Sequence, residues 1–282
     1  MLIFKKIGDL KKQIKLLKRQ GNIVGFVPTM GALHAGHISL IKASQRVTDV
    51  TICSIFVNPT QFNDKSDFDK YPITIPSDIE KLTNAACDIL FLPSIDEMYP
   101  HGFENAGRID FGFLAQTLEG EHRPGHFDGM AQVVKKLLEI TTPDILFMGQ
   151  KDYQQQLIVS QLIKKSRLKV KLITCPTLRE GDGLAMSSRN VRLNGSAREV
   201  SGSISRTLKW VKKELIKEGV KVKELSFKAF KKLESLGGFD VEYFEIRNAA
   251  TLRAPRSKNE KLVALVAARI GGVRLIDNML LN

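Results

Sequence analysis

The sequence predicts an α/β protein, with an open parallel sheet in the first part of the chain and a smaller α+β region after it. Three observations lead there. Short apolar runs alternate with amphipathic helical stripes between residues 22 and 175. The first of those runs opens into a turn rich in glycine and histidine, Pro28-Thr29-Met30-Gly31-Ala32-Leu33-His34-Ala35-Gly36-His37. After Ser196 the alternation gives way to two basic helical segments and three strand-like runs. At 282 residues, 43% of them hydrophobic, the chain is long enough for two cores. The expected division is residues 1–175 and 176–282.

Taken in order, residues 9 to 20 carry Leu10, Ile14 and Leu17 at helical spacing and stop at Gly21-Asn22, a C-terminal signal. Residues 22 to 27 read as the first strand. Beyond the glycine turn, Ile38, Leu40, Ile41 and Val47 make one apolar stripe, and residues 49 to 57 are rich in β-formers, which completes a strand–helix–strand unit. Pro59 ends that strand, residues 63 to 76 read as a surface excursion, and a helix through Asp78, Ile79, Leu82 and Ala86 leads to a third strand at 88 to 92. From Pro93 to Arg123 the pattern breaks into glycine-punctuated pieces, with an extra strand at 108 to 113 and a flap over a site as the expectation. Regular alternation then returns: a helix through Met130, Val134 and Leu138, a strand at 144 to 148, a helix through Leu157 and Leu162, and a strand at 169 to 174. The last region offers helices at 197 to 217 and 222 to 236, then strands at 241 to 247, 262 to 268 and 274 to 277.

Several function classes are set aside by composition. The net charge of +13 comes largely from lysines at 5 to 18 and 209 to 232, which read as solvated helix faces. They lack the interleaved aromatics of a nucleic-acid surface, so no nucleic-acid partner is expected. No apolar run approaches the roughly 20 residues of a membrane span, and the first segment, MLIFKKIGDLKK, does not resemble a secretory signal. Cys53, Cys87 and Cys175 have no CxxC spacing and read as buried thiols of a reducing cytoplasm. His101, His122 and His126 lack metal-ligand spacing.

The chemistry concentrates in loops at strand ends, where open α/β sheets bind ligands. Two histidines three residues apart beside glycines put imidazoles and backbone N–H groups at one helix start, a setting suited to phosphate. Asn58 and Gln61 leave the second strand as candidate substrate contacts, or as turn caps. Gly149-Gln150-Lys151-Asp152 follows another strand, with Gln155 one turn into the next helix; Lys151 is either a point charge for phosphate or an exposed lysine. Arg123 is either a phosphate clamp or structural. Met186-Ser187-Ser188-Arg189 offers hydroxyls and a guanidinium to phosphate oxygens, or an N-cap and a surface charge.

Five ordered motifs, PTMGALHAGH, FVNPTQF, MGQKDYQQ, DGLAMSSRN and RLIDN, together resemble the pantothenate synthetase (pantoate:beta-alanine ligase) family. HAGH is similar to the HIGH motif of nucleotidylyl transferases, and MSSR stands where that superfamily has its KMSKS-like loop. The resemblance spans nearly the whole chain. It implies a Rossmann-like first domain, a smaller C-terminal domain that closes over the site, and a homodimer. It implies that pantoate reacts with Mg-ATP to give pantoyl adenylate, which β-alanine then converts to pantothenate, with Mg²⁺ as cofactor and no direct metal ligands assigned. On that basis Met30, Gly31, Ala32, Leu33, His34, Ala35, Gly36 and His37 hold ATP, with His37 at a position commonly called a proton donor. Gly149, Gln150, Lys151 and Asp152 line the nucleotide site, with Lys151 counted beside His34 and His37 as catalytic. Leu178 meets adenine, and Met186, Ser187, Ser188 and Arg189 close on the triphosphate. Gln61 and Gln155 grip pantoate, Gln61 also serves β-alanine, and Asn58, Asp78 and Arg123 support them. The chain departs from the family pattern at Gln150, where glutamate is common, and at Leu178 and Gly181, where valine and alanine are more frequent. Two rival readings are a transferase that releases its nucleotidylylated product and a basic RNA-binding module.

Overall fold

The computed structural model describes residues 1–62, 65–103 and 109–282. They form two compact units, one made of Met1–Gly149 with Gln154–Pro176, the other of Gln150–Tyr153 with Thr177–Asn282.

The first unit is built on six parallel strands: β1 (Leu2–Phe4), β2 (Val24–Thr29), β3 (Val50–Ile55), β4 (Ile89–Phe91), β5 (Ile145–Gly149) and β6 (Lys171–Cys175). Their spatial order is β1-β4-β3-β2-β5-β6. This is a Rossmann-like sheet, and the strand order reverses beside β2, the place where such sheets open a crevice at their carboxyl ends. Every residue of β3 is buried, as expected for a strand of a parallel sheet covered on both faces. Val27, Ile41, Cys53, Ile55, Leu82, Leu90 and Phe147 belong to one core cluster around it. The register sets Thr29 opposite Ile55, so the turns that follow β2 and β3 leave the sheet at the same edge.

The second unit has a three-stranded antiparallel sheet, β7 (Phe239–Asn248), β8 (Leu262–Ile270) and β9 (Val273–Leu280), in that order. Helices Ser203–Leu215 and Val222–Glu234 bury Ile204, Leu208, Val211, Leu225 and Leu233 against Phe244, Ile246, Leu262 and Val266. The central strand β8 is buried at all positions except Arg269.

Several expectations are corrected. The strand expected from residue 22 is β2, and a strand precedes it: β1 is only three residues long with Leu2 and Ile3 exposed, too short to display a period. No strand forms over 109 to 113. Asp110 accepts the Gly112 N–H at 2.7 Å, a local turn that competes with ladder pairing, and Gly112–Ala115 is a 3-10 turn. The remaining part of that expected strand, Arg108, lies outside the described residues, as do residues 63 and 64 of the expected excursion and Gly107. From 111 onward the stretch 93 to 123, expected as a flap, is packed, and the packed segment continues to 127, with Phe111, Leu114, Leu118 and Phe127 buried. The helix expected at 197 to 217 is two, Gly195–Ser201 and Ser203–Leu215, separated at Gly202.

Candidate active site

Where β2 ends, the Thr29 hydroxyl donates to the Ser54 carbonyl at 2.7 Å and accepts the Gly31 N–H at 3.2 Å. Gly31 then takes φ +83°, a conformation that L side chains rarely adopt, and an added Cβ would lie 3.1 Å from the Asp78 carboxylate. Asp78 is fully buried in helix Ile75–Asn84. Its oxygens accept the N–H groups of Ala32 at 2.9 Å and Leu33 at 2.7 Å, and the Thr74 hydroxyl at 3.1 Å. Lys81, one turn on, donates to the Leu33 carbonyl at 2.7 Å. The turn is thus bent by a carboxylate that reads its backbone, a stronger acceptor than a neutral one.

The turn delivers His34 as N-cap of helix Ala35–Gln45. His34 Nδ1 accepts the Gly36 N–H at 3.1 Å, and His37 Nδ1 accepts the His34 N–H at 3.3 Å, so the two histidines form a reciprocal cap. Their rings lie 4.0 Å apart between centroids, tilted by 36°. Because each Nδ1 is an acceptor, this bonding assigns the proton of each neutral ring to Nε2. Met30 is half-buried, and Ala35 and Gly36 begin the helix.

Asn58 and Gln61 follow β3 in the short Pro59–Gln61 turn. Asn58 is buried and spends its amide within the fold: Nδ2 donates to Thr60 Oγ1 at 3.0 Å and the Gly129 carbonyl at 3.3 Å, while Oδ1 accepts the Tyr99 hydroxyl at 2.9 Å. Burial pushes the Tyr99 phenol up, which keeps it a donor. The Gln61 side chain lies against Met30 Sδ, and its backbone carbonyl meets His126 Nδ1 at 2.8 Å. Arg123 donates to the other nitrogen of His126 at 3.1 Å and pairs with Glu119 at 3.6 Å. His126 therefore carries its proton on Nδ1 and donates it to Gln61.

Gly149 ends β5, and Gln155 is half-buried at the start of helix Tyr153–Lys165. Its neighbour Gln154 was not singled out from sequence, yet it is the buried one. Its amide accepts the Glu119 N–H at 3.1 Å and donates to the carbonyls of Leu114 at 2.7 Å and Thr117 at 2.8 Å.

In the second unit, Gln150–Asp152 is a single 3-10 turn with no buried side chain. Lys151 Nζ lies 3.7 Å from Asp152. The loop containing Leu178 and Met186 is a small hairpin: Arg179 and Ala185 are bridged, Met186 N–H donates to Leu178 O at 3.0 Å, and Glu180 N–H donates to Leu184 O at 2.8 Å. Leu178 is exposed. Ser187 caps the Ser188–Arg192 turn by accepting the Arg189 N–H at 3.3 Å. Asn190 holds the turn to the hairpin through Ala185 O at 3.1 Å.

Sequence reasoning gave no role to Tyr99, Gln154, Asp277 or Asn278, and treated His126 only as a metal candidate. Asp277 and Asn278 did leave a signal, two consecutive polar residues late in a strand-like run. Both are buried in β9, where Arg179 meets Asp277 with a two-pronged bond of 2.6 and 3.0 Å. Burial pushes the Asp277 carboxyl up while Arg179 pulls it down. Among the described residues no three His, Cys, Asp or Glu side chains gather as a metal site. Asp78 in particular has both oxygens turned to backbone.

The sequence profile of the pantoate-beta-alanine ligase family matches residues 2–280. The chain belongs to that family. It is 43% identical over 283 residues to a pantothenate synthetase of Cytophaga hutchinsonii, covering 100% of this chain and 99% of the relative. It is 44% identical to one from Pseudomonas fluorescens, covering 99% and 97%. Among solved structures, pantothenate synthetase from Thermus thermophilus superposes with a TM-score of 0.91 at 34% identity, covering 100% of this chain and 99% of that one. Pantoate-beta-alanine ligase from Francisella tularensis, solved with beta-gamma ATP and beta-alanine, superposes with a TM-score of 0.82 at 40% identity, covering 99% and 97%.

Proposed function

We propose that this enzyme joins (R)-pantoate to β-alanine at the expense of ATP, releasing AMP and pyrophosphate. The observation that carries the reading is the Asp78-held turn with its paired histidines at a helix start, on a chain of the pantoate-beta-alanine ligase family. In the first step a pantoate carboxylate oxygen bonds to the α-phosphorus while the bond to pyrophosphate breaks. In the second the β-alanine amine adds to the activated carbonyl carbon, the bond to AMP breaks, and the nitrogen gives up its proton. Adenylation is needed because a free carboxylate is a poor acyl donor.

The backbone from Met30 to His37 takes the triphosphate at the helix start. His34 and His37 donate from Nε2 to oxygens that gain charge as pyrophosphate departs. Gly149, Gln150, Lys151 and Asp152 serve the nucleotide, Lys151 as a point charge. Leu178 offers backbone to adenine, and Met186, Ser187, Ser188 and Arg189 meet phosphate. Gln61 and Gln155 hold pantoate, Gln61 also meets β-alanine, and Asn58 and Arg123 support them; Asp78 positions the turn. ATP would enter as its magnesium complex, in which the ion would offset phosphate charge while Lys151 and Arg189 meet the phosphates. We further assign a homodimer in the cytoplasm; three buried free thiols suit a reducing compartment.

The test is isotope exchange between pyrophosphate and ATP with pantoate present, followed by β-alanine addition and detection of AMP and pantothenate. Folded protein that catalyses neither overturns the reading.

A further inference from the structure

Two neighbouring residues of β9 reach two separate segments of the second unit. Asn278 Nδ2 donates to successive carbonyls of the 3-10 turn, Gln150 O at 2.9 Å and Lys151 O at 2.8 Å, while its Oδ1 accepts Gln150 Nε2 at 3.2 Å. One side-chain amide is thus wholly occupied by the turn that presents Lys151. Asp277 takes both prongs of Arg179, whose guanidinium also donates to the Gly183 carbonyl at 3.1 Å. Arg179 opens the hairpin that runs directly into Met186, Ser187, Ser188 and Arg189. We propose that Asp277 and Asn278 are positioning residues for adenylation, holding the Lys151 turn in register with the Ser187–Arg189 segment; this rests on the ligase reading above.

Core packing does not account for these bonds. The Gln150–Asp152 turn buries no side chain, so what Asn278 secures is the location of the turn. A buried ion pair contributes little net stability against an apolar replacement, but a two-pronged arginine–carboxylate contact fixes both distance and plane. The base is firm, since Asp277 and Asn278 pair with Val266 and Leu265 of the buried strand β8. Side chains so mounted hold a reactive group more narrowly than a free loop does.

The experiment compares Asn278→Ala, Asn278→Asp and Asp277→Asn with the unaltered enzyme and with Asn282→Ala. Asn282 likewise donates to two backbone carbonyls, Lys258 O and Glu260 O, neither of which belongs to a proposed site residue. The readouts are thermal unfolding, kcat and KM in pyrophosphate exchange, and hydrogen exchange of the amides at 150 to 152. The Asn278 variants are expected to fold, to exchange those amides faster, and to lose up to about 100-fold in kcat/KM for ATP, with KM for pantoate unchanged. Asn282→Ala should match the unaltered enzyme in all kinetic values. Unchanged ATP kinetics in Asn278→Ala overturn the proposal, as does an equal loss for ATP and pantoate or a loss shared by Asn282→Ala. If Asn278→Ala does not fold, the near-isosteric Asp277→Asn makes the same comparison. If the unaltered enzyme shows no exchange reaction, the ligase reading fails, and unchanged amide protection at 150 to 152 in Asn278→Ala separately rejects the clamp.

Discussion

Asp78 shows how much of a turn can rest on one buried carboxylate, whose oxygens take the N–H groups of Ala32 and Leu33. Asp78→Asn keeps the shape but turns one acceptor into a donor, facing it against a backbone N–H. The expected cost is about 1–3 kcal/mol for the unsatisfied buried group, read by urea unfolding, together with slower pyrophosphate exchange; unchanged values in both would remove the positioning role. His37→Ala is expected to fold normally and lose about 10²–10³-fold in adenylation, the usual loss for one charge-stabilising donor. Normal turnover would take the phosphate role from the opening turn. The two histidines were legible because their spacing places both at one helix start. Asp78 was legible only as an acidic position, since its bond to the Leu33 N–H crosses 45 residues of chain and leaves no local pattern.

Between elements, the close approach of helix His126–Thr141 to the Asn58–Gln61 turn depends on Gly129. A Cβ there would stand 2.1 Å from the Thr60 carbonyl oxygen, a position that backbone cannot yield cheaply. Gly129→Ala is therefore expected to cost about 1–3 kcal/mol through overpacking and to raise KM for pantoate by displacing Gln61. A variant with unaltered melting and unaltered pantoate KM would contradict this. From sequence, a glycine inside a helical stripe registers only as a propensity penalty; the neighbour that requires it is folded in from elsewhere. The Gln154–Gln155 pair is ambiguous for the same reason. Helical spacing assigns neighbouring residues to different faces, but not which face meets the packed 111–127 segment.

For the molecule as a whole, alternation of strand and helix made the parallel sheet and the later α+β region legible, because both periods repeat over many residues. The composition of the compact units was not. The cut expected at 175 leaves Gln150–Tyr153 with the first unit, whereas those residues bond to Asn278 and, through the Tyr153 hydroxyl, to Ala249 O at 2.8 Å. Acid should weaken both units. Glu97 accepts the Ile7 N–H at 2.8 Å and pairs with Lys6, and Glu260 accepts Asn248 Nδ2 and the Arg256 N–H, each at 2.7 Å. These bonds hold both carboxyls below the ordinary glutamate value. Their folded-state pKa is depressed, so their contribution is complete above the unfolded value and is lost as pH falls through the folded one. Denaturant unfolding from just above the ordinary glutamate value downward should show stability declining, with a shallower decline in Glu97→Gln; an identical slope would exclude Glu97 as a contributor.

The pairing of β1 also orders events in time. Leu2–Phe4 takes its place beside Ile89–Phe91, so during synthesis the first strand waits until residue 91 has left the ribosome. By then β2 and β3, neighbours in both sequence and sheet, are already available to pair, whereas the other side of β2 waits for β5. The sheet is thus expected to grow outward from β2–β3, with β1, made before them, joining late and at its edge.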